Sequence, residues 1–487
     1  MTDRTPAPAA RPHLTSHHQV LDDAVEALHR HWRGRRVFLL ANQFTHSAQL
    51  LIDEVEACGA TLAGIISRTH RPQDVAAPVF SFAEHGIELA PHEFEDHLTQ
   101  APKVLRKWLD EHDAGRSCTV LGSIWTTMPR LCGRPVHGWR RHEWAAWEDK
   151  VRVEQLWADA AVPSPRHTIV PLDAPGLYTE AARLDGGRGV VLAMDSSRGI
   201  PGGGGRGLAW VRSRAELDAA VASFAGRADR VRIAEFVPGV PCSTQALALD
   251  TGIAVFDPAE EAMLRHPGTG RFYYAGTSTW WRPPAPERRT IEAYVRRTGE
   301  LLVSLTGYRG IFTVDGLLTA RGFLATEMNP RGAGGLGFRP GRPDFPSYLF
   351  HRAAQESVPG VVDLPADAVQ AAFRDVIAGR PSFSGALTPG SGPAAPAEPG
   401  PAPGTHRYTT PRSRMTIDYR YEGTSARVVE LTPTTEDGAV GPAVAEFAHF
   451  LGNPGLVGFE DDSVRSTLGP AGKHGSEPTV PAAGGTA

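Results

Sequence analysis

The stretch that most constrains this chain is Ile311–Arg331, IFTVDGLLTARGFLATEMNPR. Phe312, Val314 and Leu317 form one apolar run and Phe323 and Leu324 a second, with Thr319, Ala320, Arg321 and Gly322 between them. Glycine takes backbone angles that other residues avoid, so the stretch reads as two short strands joined by a polar bend. Residues two apart on a strand share a face, which projects Glu327 and Asn329 together. If the strands pair, Asp315 joins them. Two carboxylates and an amide on one surface make an oxygen-rich site of the kind Mg²⁺ favours. Arg331, two residues beyond Asn329, stands at the rim as a permanent cation for a phosphate or a developing oxyanion. An ordinary hairpin with its carboxylates in water is the alternative that residue types alone leave open.

The order D-G-(x)10-E-x-N-P-R resembles the metal-binding end of the ATP-grasp ligases. That resemblance implies that Asp315, Glu327 and Asn329 hold Mg²⁺ (or Mn²⁺) and that Arg331 steadies the reacting phosphoryl or acyl group.

At 487 residues the chain has room for two to four domains. Its formal net charge of −4 is mixed throughout, which points away from a nucleic-acid or anionic-membrane partner. Cys58, Cys118, Cys132 and Cys242 are scattered without C-x-x-C spacing, so neither a zinc site nor a disulfide framework is expected. No apolar run reaches the ~18–20 residues needed to span a bilayer. The opening MTDRTPAPAARPHLTSHH lacks the apolar core of a secretory signal, and the expectation is a cytoplasmic protein.

Read in order, residues 1–18 are expected to be disordered. RRVFLLA (35–41), ATLAGII (60–66) and CTVLG (118–122) read as buried strands, and His46–Cys58 as a helix closed by Gly59. Strands alternating with helices imply a parallel α/β domain over 19–145. No G-x-G-x-x-G follows its first strand, which excludes a dinucleotide fingerprint. Five of the ten tryptophans fall at 125, 139, 144, 147 and 157, and packing of one domain against the next explains them better than a partner surface. WEDKVRVEQLWADAAVPSP (147–165) reads as a helix ended by Pro163. RGVVLAMDSSRGIPGGGGRGLAWV (188–211) reads as strand, glycine loop, strand; such loops let backbone N–H groups approach phosphates. Ser213–Ala225 is a helix with a capping-box start at Ser213 and Glu216. Residues 231–249 give strand, turn, strand. Residues 252–284 read as one strand and then an irregular aromatic segment, and Glu287–Thr306 as a helix. GAGGLGFRPG (332–341) is a second glycine loop, and Ser347–Glu356 and Ala366–Gly379 look helical. Residues 385–405 read as a Pro/Gly/Ala linker. Two strands and a short helix follow in a small α+β segment over 406–464, and 465–487 is expected to be a disordered tail.

Several of these stretches fall in ATP-grasp order. The helix at 147–165 is similar to that family's entry segment, which makes Lys150 a nucleotide-contacting lysine. The loop at 199–207 looks like its lid over the triphosphate, assigning Arg198, Gly203, Gly204, Gly205 and Arg206 to the cofactor. Glu235, Phe236 and Val237 fall at its adenine hinge. The strand before the lid usually ends in a phosphate-contacting lysine, but Ala193 and Met194 stand there, and Arg198 or Arg206 is expected to supply the charge. Arg265 is assigned as a second catalytic cation, with Tyr274 and Trp281 beside it lining an acceptor site. Gly334, Gly335 and Arg339 are expected to meet a substrate carboxylate.

The resemblance implies an α/β (α+β overall) architecture: a parallel pre-grasp domain, a two-lobed ATP-grasp unit over 146–384 with its lid lobe at about 165–235, and the small C-terminal piece. It implies an ATP-dependent ligase joining a small-molecule carboxylate to an amine, such as an amino acid or peptide in a bacterial specialised pathway, through an acyl phosphate. A homo-oligomer is compatible with the sequence. The alternatives are a carboxylase or carbamoyl-phosphate-type enzyme, and a catalytically silent nucleotide-binding regulatory protein.

Overall fold

The computed structural model describes residues 18–44, 46–71, 75–91, 93–123, 125–198, 207–332, 338–390, 398–461 and 465–469. Both expected disordered ends lie almost wholly outside these residues. So do most of the first glycine loop, with Gly203, Gly204, Gly205 and Arg206, and the centre of the second, with Gly334 and Gly335.

The first sheet holds β1 (Arg36–Ala41), β2 (Thr61–Ser67), β3 (Val79–Ser81), β4 (Thr119–Leu121), β5 (Arg130–Leu131) and β6 (Arg134–His137), in the order β3-β2-β1-β4-β6-β5. All its pairings are parallel except β5 with β6. Val37 to Ala41 are all buried, as a strand covered on both faces requires. Gly59 takes φ +80 just past the helix His46–Ala57, where a side chain would be strained. One cover comes from far along the chain. The helices Ser347–Gln355 and Ala366–Gly379 pack on Gln19–Trp32, so Leu28, Trp32, Val37, Phe350 and Phe373 share one core.

The second sheet is antiparallel: β7 (His167–Pro171), β8 (Val190–Met194), β9 (Leu208–Val211) and β10 (Arg230–Glu235), in the order β7-β10-β8-β9. Helices Leu177–Leu184 and Arg214–Phe224 supply its apolar cover. Ser213 caps the second helix by accepting from the Glu216 N–H at 3.2 Å. The Glu216 carboxylate reaches back to the Arg212 N–H, one residue before the usual capping-box partner.

The third sheet has twelve strands: β11 (Val240–Leu249), β12 (Gly252–Val255), β13 (Ala259–His266), β14 (Arg271–Ser278), β15 (Gly310–Thr319), β16 (Gly322–Asn329), β17 (Phe383–Leu387), β18 (Glu398–Pro399), β19 (His406–Thr409), β20 (Thr416–Glu422), β21 (Ser425–Thr432) and β22 (Val457–Gly458). β15 and β16 pair as a hairpin about the turn at Gly322, which takes φ +95. From Thr319↔Gly322 to Gly316↔Ala325 the register is regular; it then slips, so that Asp315 faces Glu327. Thr326 is the extra residue of a β-bulge, held by its hydroxyl donating to the Asp315 carbonyl at 3.2 Å.

Two expectations need correction. Residues 259–278 form the hairpin β13–β14, not an irregular segment. Ala262, Leu264 and Ala275 are buried against Met415, Ile417 and Phe447, and that partner is far away in sequence, so no local pattern announces it. The helix expected over 147–165 forms only at Val153–Asp159, after a 3₁₀ turn at Ala146–Glu148. Asp149 is extended, and its carboxylate accepts from the Val151 and Arg152 N–H groups on one oxygen and from Ser196 on the other. It starts the chain afresh at that point. The C-terminal segment extends the third sheet, because β17 bridges β14 to β21 and β22 pairs with β13.

Candidate active site

The bulge at Thr326 creates the site. In unbroken register Asp315 would stand opposite Thr326, and Glu327 would point to the other side of the sheet. With the extra residue, both carboxylates share a face. Asn329 joins them by donating its amide Nδ2 to Asp315 Oδ2 at 2.9 Å. Burial, followed by repulsion from Glu327, pushes the Asp315 carboxyl up to about 7. Burial pushes Glu327 the same way, but the charge and hydrogen bond of Lys150 outweigh it and hold Glu327 below the usual carboxylate range. Lys150 makes that ion pair directly while itself buried.

Arg331 donates to Asn329 Oδ1 at 2.9 Å and through Nε to Glu148 at 2.9 Å. Glu148 also takes Arg140 at 2.7 Å, and both guanidiniums lie over Trp125. Of the five clustered tryptophans, Trp144, Trp147 and Trp157 are core residues under the third sheet, while Trp125 is at the surface beneath these arginines. At the gap in the phosphate-contacting strand, Ala193 is buried and stands directly opposite Arg232 on β10. Cross-strand partners project to the same face, so Arg232 fills the space a lysine at 193 would use. It is ion-paired to Glu154 and hydrogen-bonded to the Thr326 carbonyl, and its charge acts on Glu327. Arg198, expected to supply that charge, is ion-paired on the surface to Asp229.

The hinge residues border an open cleft of about 390 Å³, lined by Gly187, Glu235, Phe236, Val237, Thr319 and Arg321 among others. That volume suits a ligand the size of a nucleotide. Glu235 accepts from Arg166 Nε at 2.8 Å and Arg321 at 2.6 Å, and burial fails to lift it against these two cations, leaving it lowered. Phe236 stacks between Trp210 and Phe459, with Arg265 lying over Trp210 and Phe236. Arg265 spends its donors on the carbonyls of Gly458 and Asp461. The structure thus puts Arg265 under the hinge and not among the carboxylates.

Trp281 is a core residue beside Ile291 and Val295. Tyr274 lies nearer the cluster: the residue is half exposed, but its hydroxyl is turned in to pair with Thr277 at 2.5 Å, and desolvation there, then Glu261 and Asp315, raise its titration. Arg339 is ion-paired to Glu54 and stacked on Tyr348, which takes it away from the role of meeting a substrate carboxylate. Glu261 on β13 carries no signal in the sequence pattern. Burial, then Asp315 and Glu327, push it well above the usual range, which makes it a third acidic neighbour. The pairing of β13 with β11, which itself pairs with β15, brings it there.

Asp315 Oδ1 is buried without a hydrogen-bond partner, an orphaned acceptor that a divalent cation would satisfy. With Glu327 it offers the hard oxygens Mg²⁺ takes. Asn329 turns its NH₂ toward Asp315 and its oxygen toward Arg331, so it becomes a ligand only by rotating its amide. Among the described residues no three His, Cys, Asp or Glu side chains converge as a metal cage.

No family model matches the chain, and no curated protein sequence matches it. Solved structures do. Carboxyaminoimidazole ribonucleotide synthase from Aspergillus clavatus, complexed with ATP, is 11% identical with a TM-score of 0.50, over 86% of this chain and 100% of that one. N5-carboxyaminoimidazole ribonucleotide synthetase from Thermus thermophilus is 17% identical with a TM-score of 0.49, over 85% and 98%. L-amino acid ligase from Bacillus licheniformis is 11% identical with a TM-score of 0.47, over 87% and 98%. At such identities the likeness concerns fold. A parallel sheet leads into two antiparallel sheets that flank a cleft, and the first of these structures aligns along its whole length: the chain has the ATP-grasp fold.

Proposed function

We propose that the chain is an ATP-dependent carboxylate–amine ligase that works through an acyl phosphate. One observation carries this reading. Asp315 and Glu327 face each other across the bulged hairpin, with Lys150 on Glu327 and Arg331 on Asn329. ATP fits the cleft at Glu235–Val237, and Mg²⁺ (or Mn²⁺) on Asp315 and Glu327 would neutralise phosphate oxygens. The γ-phosphoryl passes to a substrate carboxylate oxygen and ADP leaves; the amine then attacks the acyl carbon, phosphate departs and the amine loses a proton. Lys150, Arg232 and Arg331 supply fixed positive charge around that transfer at no reorganisation cost. Arg232 also weakens the reading of a silent nucleotide binder, because the cation missing at Ala193 is present on the neighbouring strand.

The test follows ADP release from Mg²⁺–ATP with pooled amino and organic acids and hydroxylamine as nucleophile. Acid-dependent ADP release with hydroxamate formation is expected. AMP and pyrophosphate, or no acid-dependent release, would overturn the reading.

A further inference from the structure

Glu148, Asp149 and Lys150 follow one another in the chain, yet they bind to different parts of the molecule. Glu148 accepts from Arg331 Nε at 2.9 Å, and Lys150 pairs with Glu327 on β16. Asp149, between them, accepts from Ser196: from its backbone N–H at 2.6 Å and from its hydroxyl at 2.7 Å. Ser196 stands two residues past β8, so this contact belongs to the second sheet. The local backbone explains the split. A 3₁₀ turn ends at Glu148 and Asp149 is extended, and an extended residue sends its side chain away from those of its neighbours. Three successive residues thus hold Glu327, Arg331 and the chain just past β8.

Asp149 divides its two oxygens. Oδ1 accepts from the Val151 and Arg152 N–H groups, each at 2.8 Å, and shapes its own segment. Oδ2 takes both bonds from Ser196. Burial opposes the charge on Asp149, but these hydrogen bonds, with the Ser196 N–H foremost, hold its carboxyl below the usual range. The Ser196 contacts are therefore charge-assisted. A second tie between the sheets runs through Arg232 on β10, which pairs with Glu154 and donates to the Thr326 carbonyl. Loss of the Ser196 bonds accordingly leaves the two sheets connected.

The cleft at the hinge is walled from both sides, by Gly187 and Glu235 at the second sheet and by Thr319 and Arg321 at the β15–β16 turn. A ligand that fills it touches both. Any displacement it imposes on β8 passes through Ser196 to Asp149, and from there to Glu148 and Lys150 on either side.

We propose that Asp149 is a positioning residue: its bond to Ser196 couples the second sheet to Lys150 and Arg331, so that nucleotide bound in the cleft sets the two cations that serve the acid. This role rests on the ligase reading. Its consequence is a coupling between substrates, in which ATP and the acid each raise the other's affinity by the same factor.

Asp149→Asn separates the two halves of the carboxylate. The amide oxygen still accepts from Val151 and Arg152, while the NH₂ is turned on the Ser196 N–H, donor against donor. The probes are Mg²⁺ with β,γ-imido-ATP and the acid found by the hydroxamate screen, and calorimetry on the full chain gives the acid's Kd with and without the nucleotide. In the wild type the nucleotide is expected to tighten the acid about tenfold. In Asp149→Asn the two Kd values should coincide, with nucleotide affinity unchanged. The kcat for acid-dependent ADP release should fall about tenfold at constant KM for ATP, as misplaced groups cause. A merely structural Asp149 would lower stability or nucleotide affinity and leave the tightening in place. If Asp149→Asn does not fold, Ser196→Ala decides: it keeps the N–H bond, loses the hydroxyl bond and must reduce the tightening. An active wild type without tightening, or tightening retained in the folded variant, overturns the inference and leaves the ligase reading standing. A wild type that releases no ADP with any acid overturns both.

Discussion

Asp315 and Glu327 are chemically alike and stand opposite each other, yet their surroundings drive them apart: Lys150 keeps one ionised while burial and its neighbour lift the other. Replacing Glu327 by Gln keeps the shape and removes a ligand charge, and acid-dependent ADP release should fall by about 10³-fold with an unchanged circular-dichroism spectrum. Wild-type rates would contradict the metal assignment. Arg232→Met should cost about 10²-fold in the same assay, while Arg198→Met, on the surface pair with Asp229, should leave the rate unchanged. Sequence pattern singles out Asp315, Glu327, Asn329 and Lys150 because they lie in motifs of fixed spacing. It passes over Arg232 and Glu261, whose roles come from cross-strand register, and register is set by a bulge and by distant partners.

Among elements, the bulge absorbs Thr326 and so keeps Asp315 opposite Glu327. Deleting Thr326 removes the extra residue, so Glu327 would follow Ala325 into regular register and still face Asp315, with Asn329 on the same face but without the bulge's local twist. The expected product is a folded protein, checked by far-UV circular dichroism, that keeps acid-dependent ADP release; release reduced as in Glu327→Gln would show that the bulge's own geometry is needed. One residue before Glu261, Glu260 on β13 accepts from the Val440 and Gly441 N–H groups at 2.7 and 2.8 Å, capping the helix Gly441–Phe450. Burial pushes its carboxyl up to about 7, against those two hydrogen bonds. The folded state thus holds this proton more tightly than the unfolded chain. Its contribution is full below about pH 4.5, falls by about 1.4 kcal/mol per pH unit up to about 7, and is flat above. Urea midpoints of wild type and Glu260→Gln, compared from pH 5 to 8, should shift in favour of the variant until about pH 7; parallel curves would contradict a raised Glu260. The hairpin β15–β16 and the helices at 285–306 and 366–379 are legible because their periodicity is local. β13–β14 is not, since the core that buries it is assembled by residues 415–451.

Across the whole molecule, the C-terminal segment does more than extend a sheet. Phe459 stacks on Phe236 and Phe272 under the hinge, and beyond it Ser466 and Thr467 bond to Gly187 and Arg212 of the smaller antiparallel lobe, where Leu468 is buried. One stretch of chain therefore ties the third sheet to the second along the nucleotide cleft. Phe459→Ala should destabilise the protein by about 3 kcal/mol in urea unfolding and weaken ATP binding; an unchanged midpoint would contradict that tie. In sequence the segment reads as a separate piece because its contacts are all long-range. For the same reason the sequence carries no sign of the bond between Asp149 and Ser196, which stand 47 residues apart. The central claim is phosphoryl transfer to a carboxylate, and oxygen tracing tests it most directly. With an ¹⁸O-labelled acid found by the hydroxamate screen, ³¹P spectra should show ADP and inorganic phosphate carrying one labelled oxygen. Unlabelled phosphate, or label in AMP with pyrophosphate released, would contradict the account.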